Sequence, residues 1–356
     1  MPDLRGGGAE KVQIDLAREF NRSGHQIEFV LMQKRGELLT KVEEFFTVVD
    51  LGENRIRDLL YSLPRYLRHS RPNVFMAAMW PLTVVAPIAQ RLSGHNSMVL
   101  VSEHNTLSVQ YANWGWLHRH AQRVSMAIGY RLADHRVGVS SGVVRDIAAL
   151  SGLHPEAFDV IYNPVPSRTE PSAEAMYAAE ALWSGPKGTR IVTVGSMKAQ
   201  KNHPLLLRAF ARLDRPDARL MFVGDGAERH AVLSLANELG IADQVILVGF
   251  QSDPTPFYKT ADLFVLSSDY EGFGNVIVEA LSCGTPVVST DCPSGPAEIL
   301  EKGRHGMLTT PGDPKELSCA IETMLSSTVD REALKRRAAK FSPEIAASQY
   351  LELMDR

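Results

Sequence analysis

Two carboxylates, Glu271 and Glu279, stand on either side of a glycine-containing turn in the second half of the chain. The apolar residues 262–267 predict a buried strand before this turn, and residues 274–283 predict a helix after it. Backbone amides at such a helix start, exposed by the glycines of the turn, favour an anion such as a diphosphate. We therefore expect both carboxylates to reach polar groups of a bound ligand, such as sugar or ribose hydroxyls.

A simpler interpretation makes Glu271 a loop charge and Glu279 a solvated helix charge, and an isolated pair at this spacing would favour it. The turn, however, follows the carboxyl end of a predicted strand. Open α/β sheets bind their ligands at that end, so the position favours a ligand-binding role for both residues.

A second loop between a predicted strand and a predicted helix runs from Val194 to Asn202. Lys201 can place an ammonium group against a phosphate, and Gly195 allows the backbone to approach it. The loop is not a P-loop, because the Gly-Lys-Ser or Gly-Lys-Thr triplet is missing from it. Taken alone, Lys198 and Lys201 could equally be solvated loop lysines.

The first half of the chain contains two further polar candidates. Three glycines at 6–8 lead into a predicted helix, which suits close approach of a phosphate or sugar but also occurs in plain linkers. His104 follows the apolar residues 98–101 and can hydrogen-bond a sugar hydroxyl or stabilise developing charge. A lone histidine is more often structural.

Aromatic residues beside basic ones form another candidate surface. Tyr111, Trp114 and Trp116 stand just before Arg119 and Arg123. This combination is typical of an interfacial helix. It also fits the apolar edge of an acceptor groove, or ordinary core packing.

At 356 residues the chain exceeds the usual limit of one hydrophobic core, so we expect two domains. Its 44% hydrophobic and 22% charged residues indicate a soluble globular protein rather than a disordered one. The lack of a long apolar run and of a signal-peptide core argues against membrane spans and export. Three cysteines without a C-x-x-C pair indicate reduced cytosolic thiols rather than disulfides or a metal site.

The net charge of −3 hides an uneven distribution. Residues 54–145 contain eleven arginines and three acidic residues, which gives that segment eight net positive charges. Such a patch could face anionic lipid head groups or a phosphorylated acceptor, or it could be an ordinary solvated surface. We expect no nucleic-acid partner.

Short apolar strands alternate with helices along the chain, a pattern typical of βαβ units and a parallel sheet. A proline-containing break and a less structured segment at 167–189 mark the expected domain boundary. We expect an amino-terminal domain at 1–165, a carboxyl-terminal domain at 166–342, and a helix at 343–356 that packs back on the first domain. Two doubly wound α/β domains would then face a cleft at the carboxyl ends of their strands.

With these features in order, the chain resembles the retaining, nucleotide-sugar-dependent glycosyltransferases of family 4, which have the GT-B fold of two Rossmann-like domains. The resemblance covers most of the chain and is strongest over residues 192–313. It rests on the E-x7-E pair Glu271 and Glu279, on the Val-Gly-Ser-x4-Lys-Asn segment, and on residues 291–298, Asp-Cys-Pro-Ser-Gly-Pro-Ala-Glu.

The resemblance implies that Lys201 holds the donor diphosphate, Glu279 the nucleotide ribose and Glu271 the donor sugar. His104 would line the opposite wall beside the transferred sugar, and it joins Glu271 and Lys201 as an implied catalytic residue. No metal or cofactor is implied, and acceptors in such enzymes usually bind the amino-terminal domain. The residues implied in donor binding are Gly7, Gly8, Ser196, Lys201, Gly272, Phe273, Gly274, Asn275, Val276 and Glu279.

Two departures from the family pattern matter. Many relatives carry an arginine where this chain has Ser196, and losing a bidentate cation weakens phosphate neutralisation unless another residue substitutes. In similar enzymes an apolar first strand precedes the Pro-Asp-Leu-Arg-Gly-Gly-Gly segment, whereas here Met1 stands directly before Pro2. We therefore expect the first strand of the amino-terminal domain to be missing, through a misplaced start or a natural truncation. Its neighbours would then have unpaired backbone groups.

The predicted function is transfer of a hexose or N-acetylhexosamine from a nucleoside-diphosphate sugar, preferably a UDP-sugar, to an acceptor. That acceptor would be a glycan or polyprenyl-linked glycan in envelope polysaccharide or lipopolysaccharide biosynthesis. The expected location is the cytoplasm, including the inner face of the membrane. The alternatives are a nucleotide-sugar epimerase or phosphorylase of the same fold and a catalytically inactive nucleotide-sugar binder. A hydride-transfer enzyme is disfavoured, because no G-x-G-x-x-G opens either half.

Overall fold

The structure is a computed structural model that describes residues 1–183 and 188–355. Its strands, in chain order, are β1 (Glu28–Leu31), β2 (Thr47–Asp50), β3 (Val74–Ala78), β4 (Met98–Glu103), β5 (His135–Gly138), β6 (Asp159–Val160), β7 (Arg190–Val194), β8 (Arg219–Val223), β9 (Val245–Gly249), β10 (Leu263–Leu266), β11 (Val287–Thr290) and β12 (Met307–Thr309).

The helices, in chain order, are α1 (Gly8–Arg22), α2 (Leu39–Glu43), α3 (Leu59–Ser70), α4 (Leu82–Ser93), α5 (Leu107–Gln110), α6 (Trp116–Leu132), α7 (Ser141–Ser151), α8 (Ala173–Leu182), α9 (His203–Phe210), α10 (Arg229–Glu238), α11 (Thr255–Thr260), α12 (Asn275–Ser282), α13 (Pro296–Ile299), α14 (Pro314–Ser326), α15 (Arg331–Ala338) and α16 (Pro343–Met354). Short 3₁₀ turns occur at Ile56–Asp58, Pro155–Ala157, Ala199–Lys201, Ala242–Gln244 and Ala339–Phe341.

The chain divides into two compact units. Unit 1 comprises Met1–Pro166 and Ser342–Arg356, and unit 2 comprises Ser167–Phe341. Residue 356, the last of the helix expected at 343–356, lies outside the described residues. Helix α16 contributes to the core of unit 1, where the ring of Tyr350 meets that of Phe20 edge-on at 6.3 Å between centroids.

Unit 2 contains a doubly wound parallel sheet with the strand order β12-β11-β10-β7-β8-β9. Strands β8 and β10 are buried along their whole length, as expected when helices cover both faces of a parallel sheet. From β7 the chain proceeds to β8 on one side, and from β10 it proceeds to β11 on the other. The boundary between β7 and β10 is therefore the topological switch point, where open α/β sheets form a crevice at the carboxyl ends of their strands.

Unit 1 contains two separate parallel sheets. Strand β1 pairs with β2, and β3-β4-β5-β6 form the second sheet. The edges β1 and β3 line one groove of about 970 Å³, whose walls include the apolar side chains of Leu16, Leu63 and Leu82 from α1, α3 and α4. Among the described residues, no strand pairs with both of these edges.

The first residue already follows the edge of β1. The amino group of Met1 donates to Val30 O at 2.7 Å, and Met32 N donates to Met1 O at 2.9 Å. This alternation is that of a parallel ladder. Burial lowers the pKa of the Met1 amino group to about 6, because water can no longer solvate its charged form.

The segment at 167–189 is more regular than the sequence analysis predicted. Helix α8 lies within it, and Ser172 caps that helix by accepting a hydrogen bond from Ala175 N at 3.2 Å. The prediction of a less structured segment is therefore wrong over α8, where an alanine-rich run favours helix. Residues 184–187 lie outside the described part of the chain.

The sequence analysis also missed the eleven-residue helix α7. Several short elements were missed as well. These are α2, α5, α11, α13 and β12, none longer than six residues. Segments of that length do not complete enough turns or alternations for periodicity to identify them.

Candidate functional site

Two loops meet at the switch point of unit 2. One follows β7 and carries Lys201, and the other follows β10 and carries Glu271. Lys201 Nζ donates to Glu271 Oε1 at 2.5 Å, and the two side chains are only 15% and 9% exposed. Ser268 Oγ donates to the same carboxylate oxygen at 2.6 Å. The structure thus brings the predicted cation and carboxylate together in a site where solvent screens their interaction poorly.

Hydrogen bonds hold these two loops together. Ser267 Oγ donates to Lys201 O at 2.8 Å, and Gln200 Nε2 donates to Tyr270 O at 2.8 Å. The backbone adds a bond from Asp269 N to Gln200 O at 2.9 Å. Lys201 is therefore placed by its own backbone as well as by its ion pair.

Helix α12 begins directly after the turn that carries Glu271. Its N-cap residue, Gly274, has a φ of +101°, a left-handed conformation that favours glycine. In the described chain no side chain caps this helix, so its first N–H groups and their partial positive charge point along the axis towards the turn.

The other residues of the turn differ in what they can offer a ligand. The Phe273 side chain is buried against Phe341, with 5.3 Å between ring centroids, so only the Phe273 backbone can meet a ligand. A Cβ atom at Gly295 would lie 1.8 Å from Phe273 O, so a glycine at 295 permits this close approach. Gly272 precedes Phe273 in the turn, and Asn275 and Val276 form the first turn of α12. Ser196 lies half-buried in the loop after β7.

Glu279 is held by two residues that the sequence analysis did not identify. Arg168 Nη2 lies 2.5 Å from Glu279 Oε1, and Tyr258 Oη donates to Glu279 Oε2 at 3.1 Å. The Glu279 side chain is only 15% exposed, so it is not a solvated helix charge. Arg168 also has its buried Nε without a hydrogen-bond partner among the described residues.

These partners fix the carboxylate of Glu279 in one orientation. Burial, and then the negative charge of Glu279, raise the pKa of the Tyr258 hydroxyl, so that hydroxyl remains a donor at neutral pH. No spacing rule links Arg168 or Tyr258 to Glu279. Nothing in the sequence assigned Arg168 or Tyr258 to this site, because both residues lie outside the motifs described above.

His104 lies in unit 1, directly after β4. Its Nε2 is 3.1 Å from Ser102 Oγ and 3.4 Å from Gln13 Nε2. Burial lowers the pKa of the imidazole to about 4, against a smaller opposing effect of Asn163. The ring is therefore neutral at neutral pH, and it can exchange hydrogen bonds but carries no charge.

Gly7 and Gly8 open helix α1 of the same unit. Gly7 is the N-cap and Gly8 is the first helical residue, and no side chain caps this helix in the part of the chain that the structure describes. Gln13, on the second turn of α1, is the residue that reaches His104. The second turn of α1 therefore contacts the residue that follows the carboxyl end of β4.

In the described residues, no helix has the length and apolarity needed to cross a bilayer.

Comparison with known proteins identifies the family. Residues 6–168 match the family described as Glycosyltransferase Family 4, and residues 182–341 match Glycosyl transferases group 1. The chain belongs to the family 4 type of glycosyltransferases, and the resemblance drawn from its motifs is confirmed.

Curated relatives agree with this assignment. The chain is 30% identical over 250 residues to the N-acetylgalactosamine-N,N'-diacetylbacillosaminyl-diphospho-undecaprenol 4-alpha-N-acetylgalactosaminyltransferase of Campylobacter jejuni, covering 70% of this chain and 66% of that relative. It is 27% identical to the lipopolysaccharide 1,6-galactosyltransferase of Salmonella typhimurium, over 91% of this chain and 87% of the relative. The match to the lipopolysaccharide core biosynthesis glycosyltransferase LpsE of Rhizobium meliloti spans only 49% of that protein, at 36% identity over 46% of this chain.

Solved structures show the same fold. HepE of Anabaena, in complex with UDP and glucose, superposes with a TM-score of 0.84 over 100% of this chain and 98% of HepE, at 23% identity. The lipopolysaccharide outer core galactosyltransferase WaaB, in its apo form, gives a TM-score of 0.75 over 99% of this chain and 98% of WaaB, at 21% identity. The predicted fold class, GT-B, is confirmed.

Proposed function

We propose that this protein is a retaining glycosyltransferase that moves a hexose or N-acetylhexosamine from a UDP-sugar to a glycan or polyprenyl-linked glycan of the cell envelope. The observation that carries the proposal is the 2.5 Å contact between Lys201 and Glu271 at the switch point of unit 2. The names of the curated relatives and the UDP bound to HepE support the choice of substrates.

In the proposed reaction, the bond between C1 of the sugar and the diphosphate oxygen breaks. The acceptor oxygen bonds to C1 on the same face, and its proton passes to the departing phosphate. Lys201 and the start of α12 stabilise the negative charge that develops on the diphosphate, without a metal ion. Glu271 orients the sugar hydroxyls, and neither it nor Glu279 acts as a glycosidase-type acid or nucleophile.

Glu279 is proposed to accept hydrogen bonds from the ribose hydroxyls. Each of its oxygens already meets one donor, from Arg168 or Tyr258, and each retains acceptor capacity for a second. Two fixed donors thus orient the carboxylate before the nucleotide binds, which lowers the ordering cost of binding. The roles of Gly7, Gly8 and His104 in unit 1 remain predictions.

A donor screen tests this function. Wild-type protein is incubated with UDP- and GDP-sugars, with and without acceptor glycans, and NMR of the product reports whether the anomeric configuration is kept. We expect Glu271→Ala to lower transfer at least about 100-fold. Glu238→Ala, which changes an exposed residue of α10, should leave transfer unchanged.

Three results would contradict the proposal. Near-normal transfer by Glu271→Ala would remove that residue from the reaction. Conversion of the donor sugar without an acceptor would indicate an epimerase. Donor binding without turnover on any acceptor would indicate an inactive binder.

We further propose that unit 1 associates with an anionic membrane surface at the cytoplasmic face, where lipid-linked acceptors would be available. The support is the solvent-facing side of α6, which carries Leu117, Val124 and Ile128 in one stripe, 62%, 44% and 50% exposed. Trp116 opens that helix, and Arg131, in its last turn, lies on the same side of the helix as Val124 and Ile128. Exposed apolar residues together with arginine on one helix are typical of an interfacial helix.

Vesicle sedimentation tests this association. Wild type should sediment with vesicles of phosphatidylcholine and phosphatidylglycerol more than with phosphatidylcholine alone, and Leu117→Ser should reduce sedimentation with the anionic vesicles. Tyr177→Ser, at a 78% exposed aromatic residue of unit 2, is the control. Equal sedimentation of wild type and Leu117→Ser would contradict the proposed surface.

A further inference from the structure

An aromatic cluster in unit 1 lies outside the proposed donor chemistry and the exposed face of α6. Trp80 follows β3, and Tyr111 and Trp114 follow β4 and the short helix α5. The ring centroid of Trp80 lies 5.3 Å from that of Tyr111 and 5.7 Å from that of Trp114, and the latter two are 4.4 Å apart. Trp114 is 37% exposed, so the cluster presents aromatic surface to solvent instead of filling a core.

A buried carboxylate braces the backbone beneath this cluster. Glu103, at the end of β4, is 1% exposed. Its Oε2 accepts from Trp80 N at 2.9 Å, and its Oε1 accepts from His104 N at 3.1 Å. Tyr130 Oη also donates to Oε2, at 3.4 Å. One carboxylate thus ties the segment after β3 to the segment after β4, at the end of the sheet where parallel strands present their ligand sites.

Polar groups surround the aromatic surface. Asn105 Nδ2 donates to Gln110 Oε1 at 2.9 Å, and Gln110 Nε2 donates to Tyr111 Oη at 3.3 Å. The indole Nε1 of Trp80 is buried and has no hydrogen-bond partner among the described residues. A buried Trp N–H usually finds a partner, so this donor is suited to a hydroxyl brought by a ligand.

Together these features match the chemistry of a pyranose ring. One face of such a ring presents C–H groups, which carry partial positive charge and pack against the negative face of an aromatic ring. Its rim presents hydroxyls, which pair with amide side chains and indole N–H groups. An aromatic surface with amide side chains at its rim therefore suits a sugar better than a lipid chain, which has no groups that could hydrogen-bond the amides.

We propose that Trp80, Tyr111 and Trp114 form a pyranose-binding subsite for the acceptor glycan, with Glu103 as a positioning residue. The acceptor role rests on the proposed function of transfer to a glycan. The pyranose binding itself can be measured without any donor, so the two ideas can fail separately.

The first experiment measures sugar binding directly. Saturation-transfer NMR of the full chain with methyl α-glucopyranoside, methyl β-galactopyranoside and methyl N-acetyl-α-galactosaminide should show contact with at least one of them. Trp114→Ala should lower that affinity about tenfold, and Trp114→Phe should lower it less because stacking is kept. Tyr61→Ala, at an 83% exposed aromatic residue elsewhere in unit 1, should match wild type.

The second experiment separates the subsite from the donor site. With any acceptor found in the donor screen, Trp114→Ala should raise KM for the acceptor about tenfold and leave KM for the donor unchanged. Glu103→Gln should raise KM for the acceptor less than Glu103→Ala does, because the amide keeps one acceptor oxygen. A general structural defect would move the donor and acceptor constants together.

The outcomes are distinct. No binding of any of the three glycosides to wild type, or equal binding by wild type and Trp114→Ala, would overturn the subsite. Equal effects of both Glu103 variants on donor and acceptor would remove Glu103 as a positioning residue. If wild type bound no nucleotide-sugar donor, the proposed function would be contradicted, whereas glycoside binding that depends on Trp114 would still support the subsite.

Discussion

Replacing Lys201 by methionine tests whether the switch-point ion pair is as buried and as coupled as the structure shows. Methionine keeps an unbranched side chain but removes the ammonium group, so Glu271 loses its cationic partner. Both side chains are mostly shielded, at 15% and 9% exposure. Without the ammonium group, the carboxylate would lie in a site that compensates its negative charge poorly.

Removing one partner of a buried ion pair costs about 3–5 kcal/mol, and the remaining exposure of this pair places it at the lower end, about 3 kcal/mol. For a domain the size of unit 2, that loss lowers the melting temperature by about 6–12 °C. The double variant Lys201→Met with Glu271→Gln should be less destabilised than Lys201→Met alone, with a coupling of about 1–3 kcal/mol, because no unpaired charge remains.

Thermal unfolding of the full chain in the absence of nucleotide measures these differences. Lys198→Met, at an exposed lysine of the same loop, should lie within about 0.5 kcal/mol of wild type. If Lys201→Met had the same melting temperature as Lys198→Met, or if the double variant showed no coupling, the ion pair would behave as a solvated surface contact and this reasoning would fail.

Three further predictions concern other parts of the molecule. Fusing about five alternating valine and isoleucine residues to the amino group of Met1 should raise the melting temperature by several degrees, because a strand there would bury apolar side chains and pair with the edges of β1 and β3. The same rise from a Gly-Ser extension of equal length would contradict this prediction. Burial raises the pKa of Glu103 to about 7, so the folded protein favours the protonated carboxyl. The stability that this preference gives is fully present below the unfolded pKa of 4.5 and is lost as pH rises to about 7. Burial lowers the pKa of His104 and of His203 to about 4 in both proteins, which makes stability rise with pH over the same range. Glu103→Gln removes only the opposing effect of Glu103, so the melting temperature of the variant should rise more steeply with pH across that window than that of wild type, and an unchanged pH profile would refute the assignment. Arg168→Lys should weaken binding of UDP by calorimetry, because a flexible ammonium replaces the planar guanidinium whose Nη2 holds Glu279 Oε1. Binding of inorganic pyrophosphate should not change, and equal losses for both ligands would contradict a ribose-side role.

The regular elements and the donor loops were accessible from the sequence. Helices α4, α6 and α14 can be identified from the sequence, because their apolar periodicity runs over several turns. Lys201 and Glu271 could be assigned to one ligand site in advance, because each follows a predicted strand of a parallel sheet. The geometry shows that they meet, and their assignment to the donor stays a prediction.

The supporting residues were not accessible in the same way. Arg168 and Tyr258 contact Glu279 across long sequence separations, and no local spacing encodes such contacts. Glu103 directly precedes the candidate His104 in the sequence, but its burial and its two backbone partners depend on how β3 and β4 pair. Trp114 and Trp116 form one aromatic group in the sequence, whereas the structure separates them.

That separation follows from the local backbone. Trp114 lies in the turn before α6 and packs on Trp80, with 5.7 Å between ring centroids. Trp116 is the first residue of α6 and is 70% exposed. The side chains of Trp114 and Trp116 therefore point in different directions although they are only two positions apart, because a helix begins between them.

The central claim is that the ammonium group of Lys201 and the start of α12 bind the diphosphate of a nucleotide sugar. Calorimetric titration of UDP into wild type, Lys201→Met and Lys198→Met tests it most directly. We predict that wild type and Lys198→Met bind UDP alike, and that Lys201→Met binds about 10–100-fold more weakly, the loss of one charge-assisted contact. Equal affinity of the two lysine variants for UDP would contradict the account.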